Sequence, residues 1–261
     1  MTIGLSPEQQ QLADAVSQFA ARHAPIEKTR NSFDTLAAGE LPQWWDDLVL
    51  NGFHAVHLPE EVGGQGGTLM DTACVVEAAA TALLPGPVVP TVLAGAVALL
   101  ADDTSETRTL LSRLAEGASA AVIIAGDNGL RATKSEAGWT VSGESTATLG
   151  LCSAQVILVA ASADEGTIWF VLDPSHPGVG VKGLNSTDKA TDVGVLRLNG
   201  YVCEPDSLLA GIDDQRARCL MVALTASAAS GVIRWCVDAV TDHLRTREQF
   251  GKPIGTFQAL Q

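Results

Sequence analysis

Hydrophobic and polar positions follow three successive rhythms along the chain. The first is helical. Leu12, Ala15, Val16, Phe19 and Ala20 recur at the spacing of one helix face. Ahead of them Ser6-Pro7-Glu8-Gln9 supplies a capping hydroxyl, a first-turn proline and a Gln three residues after the cap. Pro25 ends this helix. Residues 42–50 predict a second one with Trp44, Trp45 and Leu48 inward. Residues 68–84 carry only Asp71 and Glu77 as charges and predict a buried helix, stopped by Leu84-Pro85-Gly86-Pro87. Residues 88–100 predict another apolar helix, and 104–116 a more polar one at the surface.

The second rhythm is that of short strands. Residues 121–124, 138–143, 155–161, 167–172, 178–181 and 193–198 are short runs, several β-branched, separated by Asp, Gly, Pro and Ser. Their spacing predicts an antiparallel β-domain, closed or sandwich-like. From about Asp213 the helical pattern returns and continues to Glu248 without proline. At about 1.5 Å per residue this helix is on the order of 50 Å long. Ala223, Ala226, Ser227 and Ser230 give it a side of small residues that a second helix can approach closely, as in a bundle. The predicted class is α+β: a helical domain over 1–118, a β-domain over 119–210, and the beginning of a helical-bundle domain over 211–261.

Composition narrows the function classes. A net charge of -14 argues against nucleic acid and anionic membrane as partners, since both require a basic surface. The five cysteines are scattered, with no Cys-x-x-Cys pair, which speaks against a disulfide framework and a zinc site. No run of about 20 uninterrupted apolar residues is present, and Met1–Pro7 lacks the basic flank and apolar core of a signal peptide, so membrane insertion is not expected and the expected location is the cytoplasm. His23, His54, His57, His176 and His243 show no metal spacing and no pairing with a nucleophile; each reads as structural or surface. Gly63, Gly64, Gly66 and Gly67 follow Pro59-Glu60-Glu61. No β-branched strand or Gly-x-Gly-x-x-Gly spacing accompanies them, so they are not a dinucleotide fingerprint, and no Lys-Ser/Thr follows as in a phosphate loop. On spacing alone they read equally well as a flexible surface loop.

The stretch Arg247-Glu248-Gln249-Phe250-Gly251-Lys252-Pro253-Ile254-Gly255-Thr256-Phe257-Gln258 breaks at Gly251 and Pro253 and then points to a new helix. Its Arg-x-x-Phe-Gly-x-Pro-Ile-x-x-Phe-Gln pattern resembles the signature of the acyl-CoA dehydrogenase family, and Pro59–Gly67 resembles that family's Pro-Glu-Glu-x-Gly-Gly-x-Gly loop. The order of helices, β-domain and long helix is similar to the family layout of N-terminal helices, middle β-domain and C-terminal four-helix bundle. Leu83-Leu84-Pro85-Gly86-Pro87-Val88-Val89-Pro90 looks most like actinobacterial members, several of which are mixed oligomers or fused tandem halves acting on steroid side-chain CoA thioesters.

The resemblance implies FAD as cofactor, an acyl-CoA thioester as substrate, a homologous or identical subunit as partner, and electron-transfer flavoprotein or a similar acceptor. It places Arg247 on the FAD diphosphate of a neighbouring subunit, with Gln249, Phe250, Ile254 and Gln258 as further contacts. On spacing alone an arginine at this place more often caps its helix or pairs with a carboxylate; the full motif reverses that preference. Three departures bear on mechanism. The chain stops where the family's bundle continues, which gives the sequence the look of a truncated member. The position near Met221, where some relatives carry the catalytic base, cannot take a proton, and Asp213 and Asp214 lie upstream of it. In place of the family's Thr-Glu-Pro-x-x-Gly-Ser-Asp loop stands Ile124-Ala125-Gly126-Asp127-Asn128-Gly129-Leu130, and Gly143–Leu149 lacks the tryptophan that usually sits beside the flavin. The catalytic residue is therefore unknown from sequence. A scaffold that has lost flavin and substrate sites is the competing reading.

Overall fold

The computed structural model describes residues 4–258, except 125, 127, 128, 136 and 137. Helices come first: α1 (Pro7–His23), α2 (Ile26–Asn31), α3 (Phe33–Ala37), α4 (Trp45–Leu50), α5 (Leu69–Thr81), α6 (Val88–Ala98) and α7 (Ser105–Ala115). The Ser6 hydroxyl accepts from the Gln9 N–H at 3.2 Å and the Gln9 side chain accepts from the Ser6 N–H at 3.0 Å, the reciprocal cap the sequence predicts. Thr68 and Asp71 build a second such cap on α5, and Gln9 Nε2 donates to Asp71 Oδ1 at 3.1 Å, tying the two helix starts together. Val16, Phe19, Trp44, Trp45, Leu48 and Val75 share one apolar cluster. Helices α2 and α3 fill a stretch where the apolar pattern predicts nothing; their only buried side chains are Thr29 and Leu36, too few to set up a period.

The glycine loop is not flexible surface. The N–H groups of Gly64, Gln65, Gly66 and Gly67 donate to the carbonyls of Pro59, Ala55, Leu58 and Val56 at 2.7–3.2 Å. A Cβ on Gly64 would stand 2.1 Å from the Leu58 carbonyl oxygen, so only glycine permits this approach. With its amides used internally, this loop has none of those four to offer a phosphate.

Strands β1 (Ala120–Ile123), β2 (Arg131–Ser135), β3 (Gly138–Glu144), β4 (Thr148–Leu149), β5 (Val156–Ala163), β6 (Gly166–Leu172), β7 (Val179–Gly183) and β8 (Val193–Cys203) join one sheet. The ladders β2/β3, β3/β8, β4/β8, β5/β6 and β7/β8 are antiparallel, as expected, but β1 and β2 run parallel to β5, so the sheet is mixed. The parallel pairing follows from burial. β1, at the end of the sheet, and most of β5 are buried, β1 being covered by α6, so neither needs a polar outer face. The interior of this sheet holds Leu130, Val141, Leu151, Ile157, Val159, Phe170 and Leu196.

Helix α8 (Asp214–Thr246) follows, then a hairpin of β9 (Glu248–Gln249) and β10 (Lys252–Pro253). Asp213 caps α8, its carboxylate accepting from the Arg216 N–H at 2.7 Å. The Trp169 indole donates to Asp214 at 2.7 Å and fixes the head of α8 to β6. Only Ala217, Leu224 and Gly231 are buried along α8. Gly231 sits on α5 so closely that a Cβ would meet the Glu77 carbonyl oxygen at 2.3 Å. By length and composition α8 is apolar enough to cross a bilayer, with a mean hydropathy of 1.6 over its most apolar window. Arg234 and Asp238 interrupt that run, and one side is packed on α5 and α6.

Candidate functional site

The expected site residues gather at the far end of α8. The Arg247 N–H closes the helix by donating to His243 at 2.8 Å, and the Arg247 carbonyl accepts from the Ile254 N–H at 2.8 Å. The hairpin pairs Lys252 with Gln249 and Pro253 with Glu248. Its two turn residues, Phe250 and Gly251, have φ of 54° and 79°. Positive φ at both positions is the type I′ geometry that two-residue hairpins require. Glycine adopts it freely, whereas for phenylalanine it is strained. A 3-10 turn over Ile254–Thr256 then returns the chain against α8, where Gly255 lies beside Leu244. The new helix expected after Pro253 is this single turn as far as the described residues extend.

Arg247, Gln249 and Gln258 are exposed and Ile254 is half-buried. Phe250 is 93% exposed, with its ring edge-on to Phe257 at 6.3 Å, and Lys252 Nζ lies 4.4 Å over the Phe257 ring. The Gln249 amide donates to the Glu248 carbonyl at 2.8 Å. The Arg247 guanidinium makes no hydrogen bond or ion pair among the described residues; the residue caps α8 through its backbone N–H, and the alternative pairing with a carboxylate is not seen among those residues. Arg245, Arg247 and Lys252 put positive charge at one end of an otherwise acidic chain. It is needed there, because the carbonyl end of a helix by itself repels an anion. A planar guanidinium fork can donate two hydrogen bonds to a phosphate or carboxylate.

Elsewhere the structure does not add to this site. Met221 is half-buried and packs against the cores beneath both the sheet and α5–α6, so it is a core side chain. Asp213 and Asp214 are committed to the α8 cap and to Trp169. The substituted loop after β1 lies partly outside the described residues (Ala125, Asp127 and Asn128). Of the rest, Gly126 stands against the Arg218 guanidinium at the head of α8. Two shallow clefts are present among the described residues, of about 330 and 380 Å³. One is lined by Trp45, Arg113 and Glu116, the other by His57, Glu60 and Glu61, and neither borders the hairpin. No group of three or more His, Cys, Asp or Glu side chains suited to a metal occurs among the described residues.

What the sequence did not disclose is the exposure pattern of α8. Val222, Ala226, Ala229, Ile233, Val237 and Val240 line the face opposite Ala217, Leu224 and Gly231, and all six are exposed. Their 4-3-4-4-3 spacing is readable in the sequence. Telling that face from the buried one required knowing which small residue, Gly231, met α5.

Comparison with known proteins points the same way. The profile described as acyl-CoA dehydrogenase, N-terminal domain, matches residues 6–118, and the profile for the C-terminal domain matches 219–261. The chain is 33% identical over 210 residues to acyl-CoA dehydrogenase FadE34 of Mycobacterium tuberculosis, covering 80% of this chain and 27% of that protein. It is 28% identical to acyl-CoA dehydrogenase IpdE2 of the same organism over 97% of this chain and 69% of the relative. The ChsE4-ChsE5 complex from Mycobacterium tuberculosis superposes with a TM-score of 0.89 at 25% identity, over 99% of this chain and 72% of the matched one. The Tcur3481-Tcur3483 steroid enzyme variant gives 0.86 at 25% identity, over 97% and 71%. This chain thus spans about a quarter of one relative and about two thirds of the others. With profiles of both its N-terminal and its C-terminal domain matched, the chain belongs to the acyl-CoA dehydrogenase family.

Proposed function

We propose that this chain forms part of an FAD-dependent acyl-CoA dehydrogenase and that its hairpin serves a flavin lying across a subunit interface. The guanidinium of Arg247, without a partner among the described residues and placed at the base of an exposed hairpin, is the observation that carries the reading. Arg247 grips the diphosphate with paired N–H donors, Lys252 adds charge, and Gln249, Phe250, Ile254 and Gln258 complete the contact. The ligand would supply the hydride acceptor for α,β-desaturation of an acyl-CoA thioester. The hairpin's part is to hold donors in place before the ligand arrives: the Arg247–Ile254 and Lys252–Gln249 pairings fix the backbone on either side of the fork.

The outer face of α8 takes helices of a homologous or identical subunit, and the chain divides at about 118 and 210 into helical, β and bundle domains. A steroid side-chain or fatty acyl thioester is the substrate class, electron-transfer flavoprotein or a similar acceptor takes the electrons, and the assembly works in the cytoplasm. One observation favours a second reading, a non-catalytic subunit: Met221 is packed core and both aspartates at the head of α8 are committed, leaving no carboxylate there to remove an α-proton. Arg247→Ala in the complex purified with its partner separates the two. Lost flavin supports the first; flavin content and acyl-CoA oxidation both unchanged support the second.

A further inference from the structure

The buried histidines next to the glycine loop carry an inference independent of the flavin reading. His54 and His57 are 2% and 9% exposed and stand at either end of the tight turn Phe53–Leu58. His54 Nε2 is 3.0 Å from the Ala115 carbonyl of α7, which assigns its proton to that nitrogen in the neutral ring. Its Nδ1, and both nitrogens of His57, are buried without a hydrogen-bond partner. The neutral rings leave one nitrogen of His54 and two of His57 unmet; a proton on either adds a buried charge and a further unmet donor.

Among the described residues no charged group offsets a charge on either ring, and the Ala115 and Leu114 carbonyls, which favour a proton on His54, are outweighed by its burial. Helix α6, which presses Gly95 against the His57 ring, contains no ionisable residue. Helix α7 presents the carbonyls of Leu114 and Ala115, while its Glu106 accepts from Ser105, its Arg108 is paired with Asp103, and its Arg113 lines the other cleft with Glu116 just beyond the helix. Asp47 of α4 faces His23 at 3.4 Å, and Asp46 lies on the other cleft with Arg113. Asp71 of α5 is held by Thr68 and Gln9, and Glu77 by Ser230. Glu60 and Glu61 are exposed on the rim of the cleft that His57 lines, and neither reaches a histidine nitrogen. Burial pushes the His57 imidazole down to about 4, with His54 beside it acting in the same direction, and burial likewise lowers His54.

The histidine-bearing turn is also what the glycine loop is bonded to. Ala55, Val56 and Leu58 accept three of the loop's four N–H bonds, and Pro59 the fourth. Moving either ring out of the core breaks these bonds. We propose that the His54–His57 pair is a proton-sensitive latch: with both rings neutral, segment 53–67 stays closed on α6 and α7, and a proton on either ring opens it.

The amides of Gly64, Gln65, Gly66 and Gly67 report the state directly. Their hydrogen-exchange protection, corrected for the intrinsic pH dependence, is measured in the full chain at pH 7 and pH 5. Going from an open-state imidazole near 6.5 to a closed one near 4, the opening equilibrium rises about twentyfold over that interval, so protection falls about twentyfold. The Val159 amide in the sheet reports global unfolding, and the loop amides exchange with lower protection than it does at both pH values. In His57→Gln and His57→Met the fall shrinks to the smaller part due to His54. Unchanged loop protection in the natural chain, an equal fall in both variants, or loop amides as protected as Val159 at both pH values overturns the proposal. Should the variants not fold, the Cε1 proton of His57 in the natural chain decides: it keeps its neutral shift at pH 5 in the protected population, and titration near the usual imidazole value with the loop still protected refutes the latch.

Discussion

Replacing Phe250 with Asn should tighten the hairpin and weaken the complex at once. Phe250 occupies the first central position of a type I′ turn at φ 54°. A left-handed conformation costs an ordinary L-residue about 1–2 kcal/mol, while Asn-Gly is the dipeptide this turn favours. Against that gain stands the edge contact with Phe257, worth roughly 0.5–1.5 kcal/mol at ideal separation and less at 6.3 Å. Since the Phe250 side chain is 93% exposed, little burial is lost. The net stabilisation is about 0.5–1 kcal/mol, a two- to fivefold rise in protection. The Ile254 amide, bonded to the Arg247 carbonyl, is the reporter, read by native-state hydrogen exchange on the isolated chain. In the complex the same variant loses flavin or partner affinity, because the exposed ring is no longer there to be covered. Opposite signs in the two assays mean that backbone strain is retained for binding. Lower protection at Ile254, or a complex indifferent to the change, would refute the reasoning.

Other expectations follow from packing and charge. Gly231→Ala forces α5 and α8 apart at the Glu77 carbonyl and should cost about 1–3 kcal/mol, seen as a lowered Tm in calorimetry. Ile233→Glu lies on the outer face of α8 at 62% exposure; it should leave the isolated chain's stability within about 0.5 kcal/mol while abolishing co-purification with the partner subunit. Stability against urea should be constant above pH 6.5 and decline as pH falls towards 4, because the unfolded chain takes up a proton that folded His57 refuses; the full difference for this one group is about 3 kcal/mol. A flat profile across that window would contradict the burial argument.

Much of the architecture was legible because it is written in local periodicity. The Ser6–Gln9 cap, the apolar face of α1 and the uninterrupted run of α8 are properties of short windows, and short windows are what a sequence displays. The parallel β1/β5 ladder was not legible, since partners such as Ala120 and Val156 are distant in sequence and fully buried strands carry no alternation to orient them. The terminal motif made Arg247 and its neighbours the expected flavin contacts, but did not show that Phe250 would be held at positive φ, which depends on the two-residue turn closing. The glycine loop illustrates the converse. Its composition suggested mobility, yet the close approach of Gly64 to Leu58 makes it one of the more tightly bonded segments. His54 and His57 looked unremarkable at their spacing; their meaning lies in what α6 and α7 fail to provide.

Flavin retention by the assembled complex tests the central claim most directly. The complex is purified with Arg247 natural, changed to Lys, and changed to Ala, and flavin absorbance per protein is compared after dialysis. Loss of a charge-assisted contact of about 1.5–3 kcal/mol predicts roughly ten- to hundredfold weaker retention for Arg247→Ala, with Arg247→Lys between the two. Equal flavin content in all three complexes would show that the hairpin serves no flavin.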